Sequence, residues 1–79
     1  MSKTSNPQTG LAEALMEEVR ESGEKYGRFL DRLKRLRPGT ARYFDLLAEL
    51  WAESEVLKTK AEHAKEEIDA LMESLEDAE

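Results

Sequence analysis

Apolar residues recur along the chain at alternating spacings of three and four. The first series is Ala12, Leu15, Val19, Tyr26, Phe29, Leu33 and Leu36, with Ser22 as its polar member. The second is Tyr43, Leu47, Leu50, Leu57, Ala61, Ala64, Ile68, Leu71, Leu75 and Ala78, with Ser54 as its polar member. This is the heptad rhythm of two long amphipathic helices. Between the series stands Arg37-Pro38-Gly39-Thr40. Pro38 disfavours helical geometry at the residue before it, Gly39 tolerates a left-handed turn, and Thr40 is suited to cap the second helix. The pattern predicts helix 1 over about 11–37, a turn at 38–40 and helix 2 over about 41–77. Residues 1–10 are polar and read as a disordered N-terminal tail, with Asn6 or Thr9 as candidate caps for helix 1.

The connection is short, so the two apolar seams are expected to face each other antiparallel, with paired residue numbers summing to 79 or 80. This sets Leu33 by Leu47, Phe29 by Leu50, Tyr26 by Ser54, Val19 by Ala61 and Leu15 by Ala64. The same register sets Lys25 near Glu53 and Glu18 near Lys60, opposite signs in both places. The expected fold class is all-α: an antiparallel two-helix hairpin of coiled-coil type, assembling into a four-helix bundle as an oligomer.

Two features exceed what one hairpin can satisfy. Leu30, Phe44, Leu46 and Trp51 form an apolar patch beside the seam in the half nearest the turn, with Tyr43 adjoining it. Farther from the turn the corresponding flank carries Gly23 with Lys58 and Met16 with Lys65, which confines the patch to the turn half and gives it the look of a docking site. Trp51 is expected to be shielded, by the chain itself or by a partner. The second feature is length. Helix 2 carries its heptads on to Leu71, Met72 and Leu75, where helix 1 has no residues left to cover them, and a second copy is the expected cover.

Composition sharpens this picture by exclusion. Charged residues make up 38% of the chain and aromatics 6%, as in long-helix proteins. The absence of cysteine removes disulfides and thiolate metal sites, and oligomerisation is the remaining staple for a chain of this size. No apolar run approaches the ~20 residues that span a bilayer, and the first residues lack a signal-peptide stretch, so a cytoplasmic protein is expected. The net charge of −6 argues against nucleic acid as the main ligand.

That charge is unevenly spread. Arg28, Arg32, Lys34, Arg35, Arg37 and Arg42 are opposed near the bend by Asp31 alone, which makes the tip +5 and the remainder −11. Cations there complement the dipole of helix 1. Arg28, Arg32, Arg35 and Arg42 are the candidate residues for an anionic ligand. Catalysis has no candidate. His63 is the one histidine, on the outward face of helix 2, and the residue three before it is Lys60 where a di-iron motif carries Glu. No cofactor and no metal are expected, and the acidic series Glu13, Glu17, Glu21 and Glu24 reads as a solvated face.

Tyr26, Phe29, Leu30, Leu33 and Leu36, then Pro38-Gly39-Thr40, Tyr43, Asp45 and Leu46 with heptads continuing to about Leu75, carry a resemblance. This stretch of some fifty residues resembles the last helical hairpin of the V-shaped domain of the ALIX family, adaptors of ESCRT membrane-remodelling pathways. The resemblance implies a groove for short Tyr-Pro-x-Leu-type peptides, with Tyr43, Leu46, Leu30 and Trp51 as contact residues. The position before the matching tyrosine is usually aromatic in that family and is Arg42 here. The functional expectation is a non-enzymatic interaction or scaffold module that forms homo-oligomers, a dimer foremost, and binds a helical or peptide partner. The alternative is a small regulator that takes acidic protein, RNA or lipid at its basic tip.

Overall fold

A computed structural model describes the backbone of residues 7–77 and the side chains of residues 9–76. Two helices, α1 (Pro7–Lys34) and α2 (Ala41–Asp77), fold back on each other as an antiparallel hairpin. The molecule measures 57 × 22 × 13 Å, one helix thick and two wide. Each helix therefore has a single packing neighbour, and both broad faces of the hairpin are open.

The turn forms as its residues dictate. The last bonds after α1 tighten to three-residue spacing, from Arg35 N–H to the Arg32 carbonyl at 3.1 Å and from Leu36 N–H to the Leu33 carbonyl at 3.0 Å. Gly39 takes φ of 91°, a conformation costly to any residue with a Cβ. The Thr40 hydroxyl donates to the Arg37 carbonyl at 2.8 Å and accepts the Tyr43 N–H at 3.2 Å, which caps α2. Helix α1 runs Pro7–Lys34, beginning four residues before and ending three residues before its expected bounds, since the backbone tightens ahead of Pro38. Proline suits the first helical position because its missing N–H has no partner there in any case. Thr9 accordingly lies inside α1, while Asn6 and the rest of 1–6 fall outside the described residues.

The antiparallel register is the expected one. The Ser54 hydroxyl lies 3.3 Å from the Tyr26 hydroxyl and donates to the Leu50 carbonyl at 2.8 Å. Lys25 and Glu53 form an ion pair at 3.1 Å. Glu18 and Lys60 do not join within ion-pair distance among the described residues.

The facing of α2 differs from expectation. With Tyr43, Leu50, Leu57, Ala64 and Leu71 at heptad position d, every d residue is buried or half-buried. The expected partner line at position a is Leu47, Ser54, Ala61, Ile68 and Leu75, and all of these but Ile68 are exposed. Position g turns inward instead: Leu46 is buried, and Glu53, Lys60, Glu67 and Ser74 are half-buried. Helix α2 is thus rolled roughly 50° about its axis, half of one residue step, relative to a symmetric seam. Leu46, 5% exposed, packs with Leu33 and Leu50, ringed by Tyr26, Phe29, Leu36 and Tyr43. Leu46 thereby fills the space between the helices, while Phe44 and Trp51 stay outside it. Two expectations change in consequence: Leu46 is core rather than patch, and Leu47, 41% exposed, leaves the seam.

Candidate docking surface

Rolling α2 gives the hairpin two unlike broad faces. On one lie the Lys25–Glu53 ion pair and the basic tip groove. On the other, heptad positions a and e of α2 meet position e of α1. Among the described residues nine large apolar side chains remain exposed, and seven of them, Met16, Leu30, Phe44, Leu47, Trp51, Met72 and Leu75, belong to this second face. Leu11 and Val56 are the exceptions, so the exposure is segregated rather than scattered.

Phe44 and Trp51 are each 70% exposed. The hairpin itself therefore does not shield Trp51, because a one-layer molecule has nothing to lay over it; of the two expected covers, the chain itself is the one that fails. Leu30 stands level with Trp51 across the seam and is more than a third exposed. Tyr43 is half-buried against the core with part of its ring outside.

The apolar character is not confined to the turn half. Met16, Val19, Ala61, Ala64, Lys65 and Ile68 line an open groove of about 300 Å³ farther along the same face. Sequence reading missed this groove because it weighed Met16 with Lys65 as a polar pair. The signal was present in Ala61 and Ala64, whose short side chains leave a hollow between larger ones. Between the aromatic knobs and the groove, Gly23 and Gly27 lie in mid-helix, and a Cβ built on either meets nothing within 4 Å. Each costs roughly 1 kcal/mol of helix stability relative to alanine, and nothing inside the hairpin requires either.

The overhang of α2 is shorter than expected, because α1 starts earlier. Leu71 is half-covered, with Thr9 at its level, whereas Met72 and Leu75 remain more than half exposed.

On the charged face Arg32, Arg35 and Arg42 border an open groove of about 390 Å³ together with Asp45 and Glu49, floored by Leu36 and Leu46. Arg28 joins Arg32 and Arg35 in a neighbouring hollow beside Asp31. Arg32 lies 5.7 Å from the Phe29 ring centre, within cation–π range. Among the described residues none of these four arginines forms an ion pair. The outer face of α1 holds the remaining pairs, Arg20 with Glu17 and Glu24, and the hydrogen bond from Arg20 holds the Glu17 carboxyl below its ordinary range. Among the described residues no three His, Asp or Glu side chains converge as a metal site would need, and no helix is long and apolar enough to cross a membrane.

Comparison with protein-family models, with curated proteins and with solved structures finds no match to this chain.

Proposed function

We propose that this chain is a non-enzymatic scaffold or adaptor module that works through its apolar broad face, associating with itself and docking helical partners there. The reading rests on one observation, the collection of seven exposed large apolar side chains on one side of a hairpin whose other side is charged. A half-bundle of this kind is stable as one layer of two, the usual minimum for a helical core. Burying Phe44 and Trp51 alone contributes roughly 2–3 kcal/mol each. Trp51 is the one tryptophan in the chain, so its emission reports the face directly. Absolute mass by light scattering should give a multiple of the 9.0 kDa chain, and Trp51 emission should shift to the blue as concentration rises. Trp51→Ala should weaken association tenfold or more with little change in helix content. A single-chain mass with red, concentration-independent emission would remove self-association from the reading.

A second reading is favoured by the unpaired arginines about the tip groove. There the chain takes an anionic group between Arg32, Arg35 and Arg42, with Arg28 beside them. Binding of that kind falls steeply between low and moderate salt, whereas apolar docking changes little. The family resemblance bears on neither test. Its peptide contacts would have to exclude Leu46, which lies in the core.

A further inference from the structure

We infer that the occupant of the apolar face is a second copy of this chain, stacked face to face and antiparallel, so that the bend of each copy lies over the open end of the other. The inference deepens the self-association reading and rests on it; what it adds is orientation, register and the residues at the crossing.

Three independent features select this arrangement. The first is volume. The face carries its knobs, Trp51 and Phe44, toward the bend and its groove toward the open end. A twofold axis across the middle of the face, level with Gly23 and Lys58, carries Trp51 of one copy to the level of Ala64 and Ile68 in the other. The indole then enters the hollow beside Lys65, a cation suited to an aromatic face. The same rotation carries Phe44 to the level of Met72, which covers the overhang of α2. A parallel stack, with both bends at one end, lays α2 of each copy over α1 of the other, sets Trp51 against Leu30 and leaves both grooves empty.

The second feature is charge. The bend is +5, while the open end bears Glu66, Asp69, Glu73 and Glu76. Arg28, Arg32, Arg35 and Arg42 line the opposite, charged face and stay outside the contact, so the effect is one of overall placement: antiparallel stacking keeps the two basic bends apart, whereas parallel stacking would set them side by side. The third feature is Gly23. Rotation about this axis crosses the two α1 helices at Gly23, where the missing Cβ leaves open space for close backbone approach. A glycine that costs helix stability and serves nothing within the hairpin has its use at this crossing. Lys58 also lies near the axis, and Glu55 and Glu62 of the second copy come within about one turn of it. The face, 57 × 22 Å, offers on the order of 1,000 Å² per copy, above the ~800 Å² per partner of a standard stable interface.

The test uses the full chain, which has no cysteine of its own. Ala41→Cys, spin-labelled beside the bend, should give a two-chain mass and an interlabel distance of roughly 50 Å, about 33 helical residues of rise. A two-chain mass with a distance under about 25 Å, the span between adjacent helices and their labels, overturns the antiparallel arrangement and leaves self-association standing. A single-chain mass overturns both. Gly23→Leu supplies the second arm. A Cβ at this position meets nothing in the hairpin, so helix content should hold or rise while dimerisation weakens tenfold or more; unchanged dimerisation places the crossing elsewhere and overturns the register.

Discussion

The two halves of the hairpin are built from different materials. Near the bend, Leu33, Leu46 and Leu50 are buried among four aromatic or leucine side chains. Toward the open end the buried residues are Ala12, Ser22 and Ala64, all small. Leucines withdraw far more apolar surface than alanines, at about 0.8 kcal/mol per methylene, so the bend half supplies most of the energy that closes the hairpin. The open half has the backbone of a bundle and the side chains of a socket. The larger seam residues there, Leu15, Val19, Leu57 and Ile68, are only half-buried. Packing is thereby graded from closed to open along a single pair of helices.

The largest effect should come from deleting the same atoms in each half. Leu50→Ala removes a side chain from the closed cluster and should cost about 2–5 kcal/mol. Leu57→Ala, two turns farther along at a half-buried site, should cost about 1–2 kcal/mol, since much of its surface never left water. Denaturant unfolding at concentrations too low for association reads the difference. Equal costs would mean that the halves are equally self-sufficient, and the comparison would collapse.

Most of this division is written in the sequence, but not all of it is legible there. The heptads, the turn at Pro38-Gly39-Thr40, the cap at Thr40 and the pairing of Tyr26 with Ser54 follow from spacing alone. The roll of α2 does not. Near the bend Tyr43, Phe44, Leu46, Leu47, Leu50 and Trp51 make an apolar arc wider than one seam needs, and periodicity identifies the arc without saying which edge turns inward. The fold resolves it with Leu46 inside and Trp51 outside. The groove at Ala61 and Ala64 was hidden for a related reason. Small residues in a seam read as close packing, and only the roll converts Ala61 from a contact into the wall of a hollow. The early start of α1 turned on choosing among Asn6, Pro7 and Thr9 as the helix opening, a choice that apolar spacing does not inform.

A smaller effect sharpens the same comparison at the turn. If the bend half is where the hairpin closes, loosening the turn should lower the stability of the whole molecule and not merely fray one end. Thr40→Ala removes the cap on Tyr43 N–H and should cost about 1 kcal/mol. Gly39→Ala places a Cβ at φ of 91° and should cost about 1–2 kcal/mol. For a domain of this size each kcal/mol lowers the midpoint by about 4–8 °C. Thermal unfolding followed by circular dichroism should therefore show one cooperative transition displaced downward in both variants. A transition that keeps its midpoint while losing amplitude would mean that the turn melts on its own and the halves are held by something else.

The smallest effect concerns what joins the halves. Lys25 and Glu53 pair at 3.1 Å where the large-residue core gives way to the small-residue one, with Glu53 mostly covered and Lys25 half exposed. Side chains in this position fix register more than they add stability, because a shift of α2 by one turn parts these charges while leaving other leucines to meet. A double-mutant cycle with Lys25→Met and Glu53→Gln should give a coupling of about 0.2–1 kcal/mol that shrinks as salt rises. The informative readout is structural. Losing the pair should leave amide exchange in the bend half unchanged and quicken it in the open half, where the fully buried residues are small and the larger ones only half-buried. Uniform quickening along both helices would show that the open half relies on the same closure as the bend, and would make the second copy less necessary to hold it.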